Sequence, residues 1–310
     1  MASTPICWLS PALISASPSS NKGGAVMQTA GAAANERYFS DFPAALRYWR
    51  GKRGYSQLRL STESNISQRH ISFIESGRSQ PSKELILKLG AVLDIPLRQR
   101  NVILLAAGFA PAYHERSLSD PELQSVRHAL QFMLAQQSPY PALVVDRLWN
   151  LLMVNAPAAM LMRWLLGAPA DQAIAQDGSL NVLRILLDPA GLRPHLANWE
   201  AVCGDMLHWI QREAMSDGPG SEATRLLENL IAFSGLPAIT QTPNLDSRAL
   251  PFLAMHIRKD DVALNLFTTI TTLGTPHDVT VHELRVEAFF PADAATATWF
   301  MAKAAPPAVA

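Results

Sequence analysis

Residues 56–78, SQLRLSTESNISQRHISFIESGR, hold two short helical repeats separated only by Ser64 and Asn65, and so tight a join admits few folds. A helix over Ser67–Ser76, turning about 100° per residue, puts Ile71 and Ile74 on one face. Arg69, Ser72 and Phe73 then point the other way, and Gln68 lies on the flank. Ser67, just ahead of the helical run, can accept a free amide of the first turn. The earlier repeat reads as a helix over Ser56–Ser64, capped by Ser56, with Leu58, Leu60 and Thr62 available for packing. One residue of the join must turn left-handed, which asparagine tolerates best after glycine. Two helices joined in this way form a helix-turn-helix, whose second helix enters the DNA major groove.

Geometry alone leaves a DNA reader and an accidental helical pair both open, and charge favours the first. Residues 37–116 carry 13 Lys+Arg against 6 Asp+Glu, a net of +7, whereas residues 117–310 carry 12 against 19, a net of −7. The zero net charge of the whole chain therefore conceals a basic segment followed by an acidic one. That asymmetry points to a polyanionic partner for the first segment and a different task for the second.

The basic segment accommodates five helices. The first runs over Phe39–Trp49, with Phe42, Leu46 and Trp49 at helical spacing, Asp41 as cap and Pro43 in the first turn, and Gly51 and Gly54 break it. Gly77 suits a left-handed stop after the groove-facing helix, Pro81–Ser82 opens a helix reaching about Leu93, and IPLRQRNVILLAAGFAP gives a fifth ended by Gly108 and Pro111.

The string RGYSQLRLSTESNISQRHISFIESGRSQPS resembles the Cro and phage-repressor type of helix-turn-helix, also called the xenobiotic-response-element family. From about Phe39 to Trp299 the chain is similar to MmyB-like bacterial transcriptional regulators, through LLAAGFAP, YPALVVDRLWNLLMVNAPA, GLRPHLANWE and TTLGTPHDVTVHELRVEAFFPAD. It departs from the family at Asn65, where a glycine is usual, and this bears on turn stability rather than on fold.

The resemblance implies that Gln57 holds a phosphate and braces the next helix, and that Ser67, Gln68, Arg69 and Phe73 face the groove, in agreement with the angular reading. It also implies an internal ion pair between Arg50 and Glu75. For Arg69 two roles stand side by side. It can make a bidentate bond to guanine O6 and N7, worth about 1–3 kcal/mol of discrimination, or a phosphate contact without sequence preference. Phe73 can press on a thymine methyl or cover a neighbouring side chain. Arg47, Lys52, Arg53 and Arg78 flank this helix as phosphate contacts or as a solvated basic face.

The acidic segment, from about Asp120, is large enough for its own core. DPELQSVRHALQFMLAQQ is helical, with Leu123, Val126, Leu130 and Leu134 in register, and two strands follow around DRLWN, at Val144–Val145 and Leu151–Val154. Helices are expected at Ala156–Leu166, Leu180–Leu187, Asn198–Ala214 and Ser221–Phe233. A hairpin turns at Lys259–Asp261, its second strand alternating at Val262, Leu264, Leu266, Thr268 and Ile270. A further strand alternates at Leu284, Val286, Ala288 and Phe290, and Pro291–Ala292–Asp293 opens a last helix. The expected class is multidomain: an all-α helix-turn-helix domain over 36–112, then an α+β domain over 120–304 that the resemblance makes PAS-like, after a disordered extension over 1–35.

The resemblance further implies a small hydrophobic ligand of fatty-acyl type, held between sheet and helices. Trp149, Met153, Met160, Met162, Trp164 and Phe267 suit an apolar cavity as well as they suit plain core. Asn155, Arg193, His256 and Arg258 are the polar candidates nearby, Arg193 and Arg258 foremost because an acyl head group calls for a cation, although each also reads as an ordinary structural or surface residue. The expected partners are double-stranded operator DNA and a second copy of the chain. The rival reading is a DNA-binding protein whose second domain serves only dimerisation or partner docking.

Enzyme chemistry is not expected. Thr275, His277 and Asp278 lie close in GTPHDVT, but proximity in sequence makes no triad, and there is no GxSxG elbow. Eight scattered histidines and the distant Cys7 and Cys203 show no metal-ligand spacing, no glycine-rich phosphate loop is present, and no cofactor is expected. Two distant cysteines suit a reducing cytoplasm, and no apolar run is long enough to span a bilayer. Residues 1–35 lack the charge pattern of a secretory signal, and Met27 stands beside Met1 as a candidate start.

Overall fold

The computed structural model describes residues 41–167, 180–217, 221–234, 253–274 and 276–304. The expectations for residues 1–35, Phe39 and Thr275 lie outside them. Helix α1, Phe42–Lys52, starts where the Asp41 carboxylate accepts the Ala44 amide at 2.8 Å, and it runs through Gly51 rather than stopping there. Helices α2 (Gln57–Ser64) and α3 (Gln68–Glu75) begin alike, with the Ser56 hydroxyl accepting from Arg59 N at 3.0 Å and the Ser67 hydroxyl from His70 N at 3.2 Å. Between them Asn65 is left-handed, at φ 51 and ψ 44. Gly77 (φ 72) ends the α3 turn, and α4 (Lys83–Val92) and α5 (Leu97–Ala106) complete the head.

These five helices close on Phe42, Leu46, Trp49, Leu60, Ile71 and Ile74, all buried. Leu58 departs from expectation: two residues before Leu60, and so about 200° round α2 from it, it is 62% exposed. The isoleucines of α3 face inward, so its opposite face is left outward by helix geometry alone.

After a single 3-10 turn, α6 (Gln124–Gln136) leads into β1 (Ala142–Val145) and β2 (Leu151–Val154), then α7 (Ala156–Leu166), α8 (Val182–Leu187), α9 (Trp199–Asp217) and α10 (Glu222–Ser234). The hairpin β3 (Ala254–Lys259) and β4 (Val262–Thr271), the short α11 (Val279–Glu283), β5 (Arg285–Pro291) and α12 (Ala294–Ala304) follow. The five strands form one antiparallel sheet in the order β2-β1-β5-β4-β3. The last strand in sequence thus becomes the middle one. Both its faces are covered, so the alternation expected over Leu284–Phe290 does not divide inside from outside. Val286 packs with Leu130 and Leu134 of α6 on the outer side, while Glu287 and Phe289 turn to the larger core under α7–α10. No described helix is long and apolar enough to cross a membrane.

Candidate DNA-binding surface and ligand domain

Helix α3 presents Ser67, Gln68 and Arg69 as exposed side chains, with Ser72 and Phe73 half-buried beside them. The Arg69 guanidinium lies 5.2 Å from the Phe73 ring centroid, so the aromatic serves as a platform for the cation on the outward face. Behind this face the helix is fixed by one carboxylate. Glu75, 4% exposed, accepts Arg50 Nε at 2.6 Å and Nη2 at 3.0 Å, and its second oxygen also takes Gln57 Nε2 at 2.8 Å. The hydrogen bond to Glu75, aided by its charge, raises the Arg50 guanidinium above its usual range against the pull of burial. Arg47 donates to the Glu75 main-chain carbonyl. Gln57 therefore braces α3 from within the head.

The flanking cations part company. Arg78 is exposed at the end of the α3 turn. Arg53 is turned from α1 toward the end of α4, its Nε donating to Leu93 O at 2.8 Å and its Nη2 to Asp94 O. Lys52 reaches the second domain, with Nζ 3.2 Å from Met215 O, and burial lowers its pKa. Sequence spacing had nominated all three alike, because a helix's neighbours in space cannot be read from its charges.

Lys52 belongs to a seam between the head and the second domain. Tyr48 donates to the same Met215 carbonyl at 3.2 Å, near the C-terminal end of α9, where cations and donors suit the helix dipole. Gln99 of α5, buried, donates to Asp217 Oδ1 at 3.1 Å, and Arg147 of the β1–β2 turn pairs with the other oxygen of Asp217. Arg98 grips Glu283 of α11 at 2.8 and 2.9 Å, and Arg147 Nε lies 3.5 Å from that same carboxylate. Burial would lower the Arg98 guanidinium, yet Glu283 and Glu115 together hold it raised. Asp278, once a triad candidate, caps α11 through Thr280 N at 2.9 Å and pairs with Arg116 at 3.0 Å. Sequence gave no signal for Arg147, Asp217 or Glu283, since each is paired with a residue at least 70 positions away.

The ligand-site candidates are dispersed. Trp149 is buried, with φ 66, and edges onto Trp209 at 6.1 Å, in the core beneath the helices. Asn155 is a clamp: its oxygen takes Ala142 N and Ala158 N at 3.0 Å, and its amide donates to Leu134 O and Tyr140 O at 3.2 and 2.8 Å. Every bonding position of that side chain is used by the β1–α7 junction. Arg193 stacks on Trp199 at 3.9 Å, in the turn before α9. Arg258 and Phe267 lie on the outer sheet face, Arg258 donating to Asn265 Oδ1 at 3.2 Å and Phe267 stacking on Phe290 at 5.2 Å. The five do not converge on one site.

Comparison with known protein families agrees with this division. Residues 126–301 match the family described as MmyB-like transcription regulator ligand binding domain, and residues 46–99 match a helix-turn-helix family. No curated protein matches the chain.

Proposed function

We propose, for a chain that belongs to the MmyB-like transcription regulators, that its DNA-binding head reads an operator through the outward face of α3 and that its ligand-binding domain governs the reading through the seam at α9 and α11. The observation that carries the first half is the exposed row Gln68–Arg69 with Phe73 beneath the guanidinium, on a helix whose opposite side is locked by Glu75. Arg69 donates to a base edge, and Ser67, Gln68, Ser72 and Phe73 fit the groove around it. Arg78, exposed at the end of the α3 turn, contacts a phosphate, while Gln57 braces α3 through Glu75. Arg47, Lys52 and Arg53, committed to protein carbonyls, contribute field rather than contacts.

One such helix buries little, so the chain binds as a dimer to half-sites about 34 Å apart. The ligand is a small hydrophobic molecule held between the inner sheet face and α7–α10, and the protein acts as a switch rather than as an enzyme. For a ligand to change DNA binding it must favour one head arrangement over another. The Arg98–Glu283–Arg147–Asp217–Gln99 chain supplies the physical connection.

An operator selected from random duplexes should bind Arg69→Ala without the parent's preference over unrelated DNA. Unchanged preference removes Arg69 from base reading. Mass spectrometry under native conditions should find a retained small hydrophobic compound. An empty domain, with operator affinity indifferent to added lipids, would favour the docking-only rival.

A further inference from the structure

The segment that joins the two domains is clamped at both ends. On the head side the Asn101 side chain accepts Ala112 N and Tyr113 N, both at 3.0 Å, and donates to Tyr113 O at 2.7 Å. On the other side His114 O accepts Val279 N at 2.8 Å, Arg116 O accepts the Thr280 hydroxyl at 2.6 Å, and the Arg116 guanidinium pairs with Asp278. Residues 112–116 are therefore a strap between α5 and α11 rather than a free linker. Helix α11 runs directly into β5, the middle strand, so the strap and the Arg98–Glu283 pair fix the head to the sheet.

The head's other attachment is to the helix layer. Tyr48 and Lys52 of α1 both donate to Met215 O, and Gln99 of α5 donates to Asp217, all at the C-terminal end of α9. Helix α9 is one of those that cover the inner sheet face. The head thus straddles two layers, and its two grips differ in strength. The sheet side has a two-bond ion pair and a run of main-chain bonds, whereas on the helix side two donors that water can replace share one carbonyl.

Arg147, on the β1–β2 turn of the sheet, holds the layers together at this end. It pairs with Asp217 of α9, its Nη2 lies 3.8 Å from Glu222 of α10, and its Nε lies 3.5 Å from Glu283 of α11. The turn that carries it is stiff, since the Asp146 carboxylate accepts Leu148 N and Asn150 N at 2.8 and 2.9 Å. Without Arg147, the buried Asp217 would lose its counter-charge beside Glu213, one turn back on α9, whose carboxyl burial already raises.

We propose that the head acts as a caliper on the two layers: a molecule entering between them parts α9 from α11, the contacts at Met215 and Asp217 give first, and the head pivots on the strap. This rests on the ligand-sensing reading above and supplies its motion. Arg50 and Glu75 bind α1 to α3 inside the head, so a tilt of α1 carries α3 with it. A small parting suffices, because packed interfaces switch between discrete arrangements rather than deforming smoothly.

Two distances test it, measured by pulsed electron spin resonance on the full-length chain with Cys7 and Cys203 replaced by alanine. Spin labels go on three exposed positions, through Lys88→Cys of α4 paired with Asp205→Cys of α9 in one sample and with His277→Cys before α11 in another. Dodecanoic acid should shift the 88–205 distance by about 2 Å or more and leave the 88–277 distance within about 1 Å. Arg147→Met should produce the same shift with no ligand, and Asp217→Asn, which frees α9 alone, serves if the first variant does not fold. The inference is overturned if the variants leave both distances unchanged, or if 88–277 moves as far as 88–205. If the acid binds by calorimetry and neither distance moves, the caliper falls and ligand sensing stands. If the acid does not bind while the variants move 88–205 alone, the caliper stands and the acyl-ligand reading falls.

Discussion

Replacing Arg50 by methionine should unlock α3 without touching its outward face. The change removes the 2.6 and 3.0 Å bonds to Glu75 and the 2.8 Å bond from Arg50 Nη1 to Tyr55 O. Glu75, 4% exposed, keeps Gln57 Nε2 but loses its counter-charge. Breaking a fully buried pair costs about 3–5 kcal/mol, and the lost carbonyl bond about 1 kcal/mol. Because the Arg50 side chain is 20% exposed, the low end applies, and the net cost is about 3 kcal/mol. Native-state hydrogen exchange suits a two-domain chain, since it reports the opening of each segment separately. Amides of Ile71 and Ile74 should exchange about a hundredfold faster, while those of β4 and β5 should hardly change. The double variant Arg50→Met, Glu75→Met should recover most of the loss, because no charge is then left buried and alone. A single-variant cost below about 1 kcal/mol, or a double variant as weak as the single, would refute the view that this pair anchors α3.

Three further outcomes are expected. Asn65→Gly should be near neutral, whereas Asn65→Val, forced to φ 51, should cost about 1–2 kcal/mol by denaturant unfolding of the head; equal stabilities would show that the turn tolerates a branched residue. The Glu287 carboxyl, held at about 7 when folded against 4.5 when free, binds its proton more tightly in the folded state. Its contribution is therefore fully present below 4.5 and lost as pH rises through 7, so Glu287→Gln should gain about 2–3 kcal/mol relative to the parent between pH 5 and 8. A difference between parent and variant that does not change with pH would contradict this. Asp217→Asn should weaken the hold of Arg147 and Gln99 on α9 and abolish any ligand-dependent change in operator affinity, read by fluorescence anisotropy with and without ligand; full retention of that change would exclude the seam as the route.

Local features were legible in the sequence because they are set by neighbours along the chain. Ser56 and Ser67 cap the helices they were expected to cap, Pro81–Ser82 opens the next helix, and Asn65 and Gly77 take the left-handed turns. The boundaries of α7 follow from Asn155 before it and Gly167 after it. What failed depends on distant partners. Period-two alternation in β5 says which side chains share a face, but not that the strand is central, so the burial of Glu287 went unseen. Leu58 and Leu60 look alike in sequence, yet only Leu60 meets the core. Lys52 read as a phosphate contact or a solvated basic charge because the carbonyl of Met215 reaches it only once two domains have docked, and Arg147 read only as part of the DRLWN turn because Asp217 lies 70 positions further along the chain. Asn155 was singled out as a polar residue at a strand end, and its four hydrogen bonds make it a clamp that joins α6, the approach to β1, β1 and α7.

The central claim is that the outward face of α3 meets the phosphate-lined groove of duplex DNA. It is tested most directly by the salt dependence of binding to a selected operator, measured for the parent protein and for Arg69→Ala. With several basic side chains on the head, log K should fall linearly with log salt at a slope of about −0.9 per phosphate neutralised. Removing Arg69 should reduce operator affinity more than affinity for random duplex. A slope near zero in the parent would contradict the account at its root.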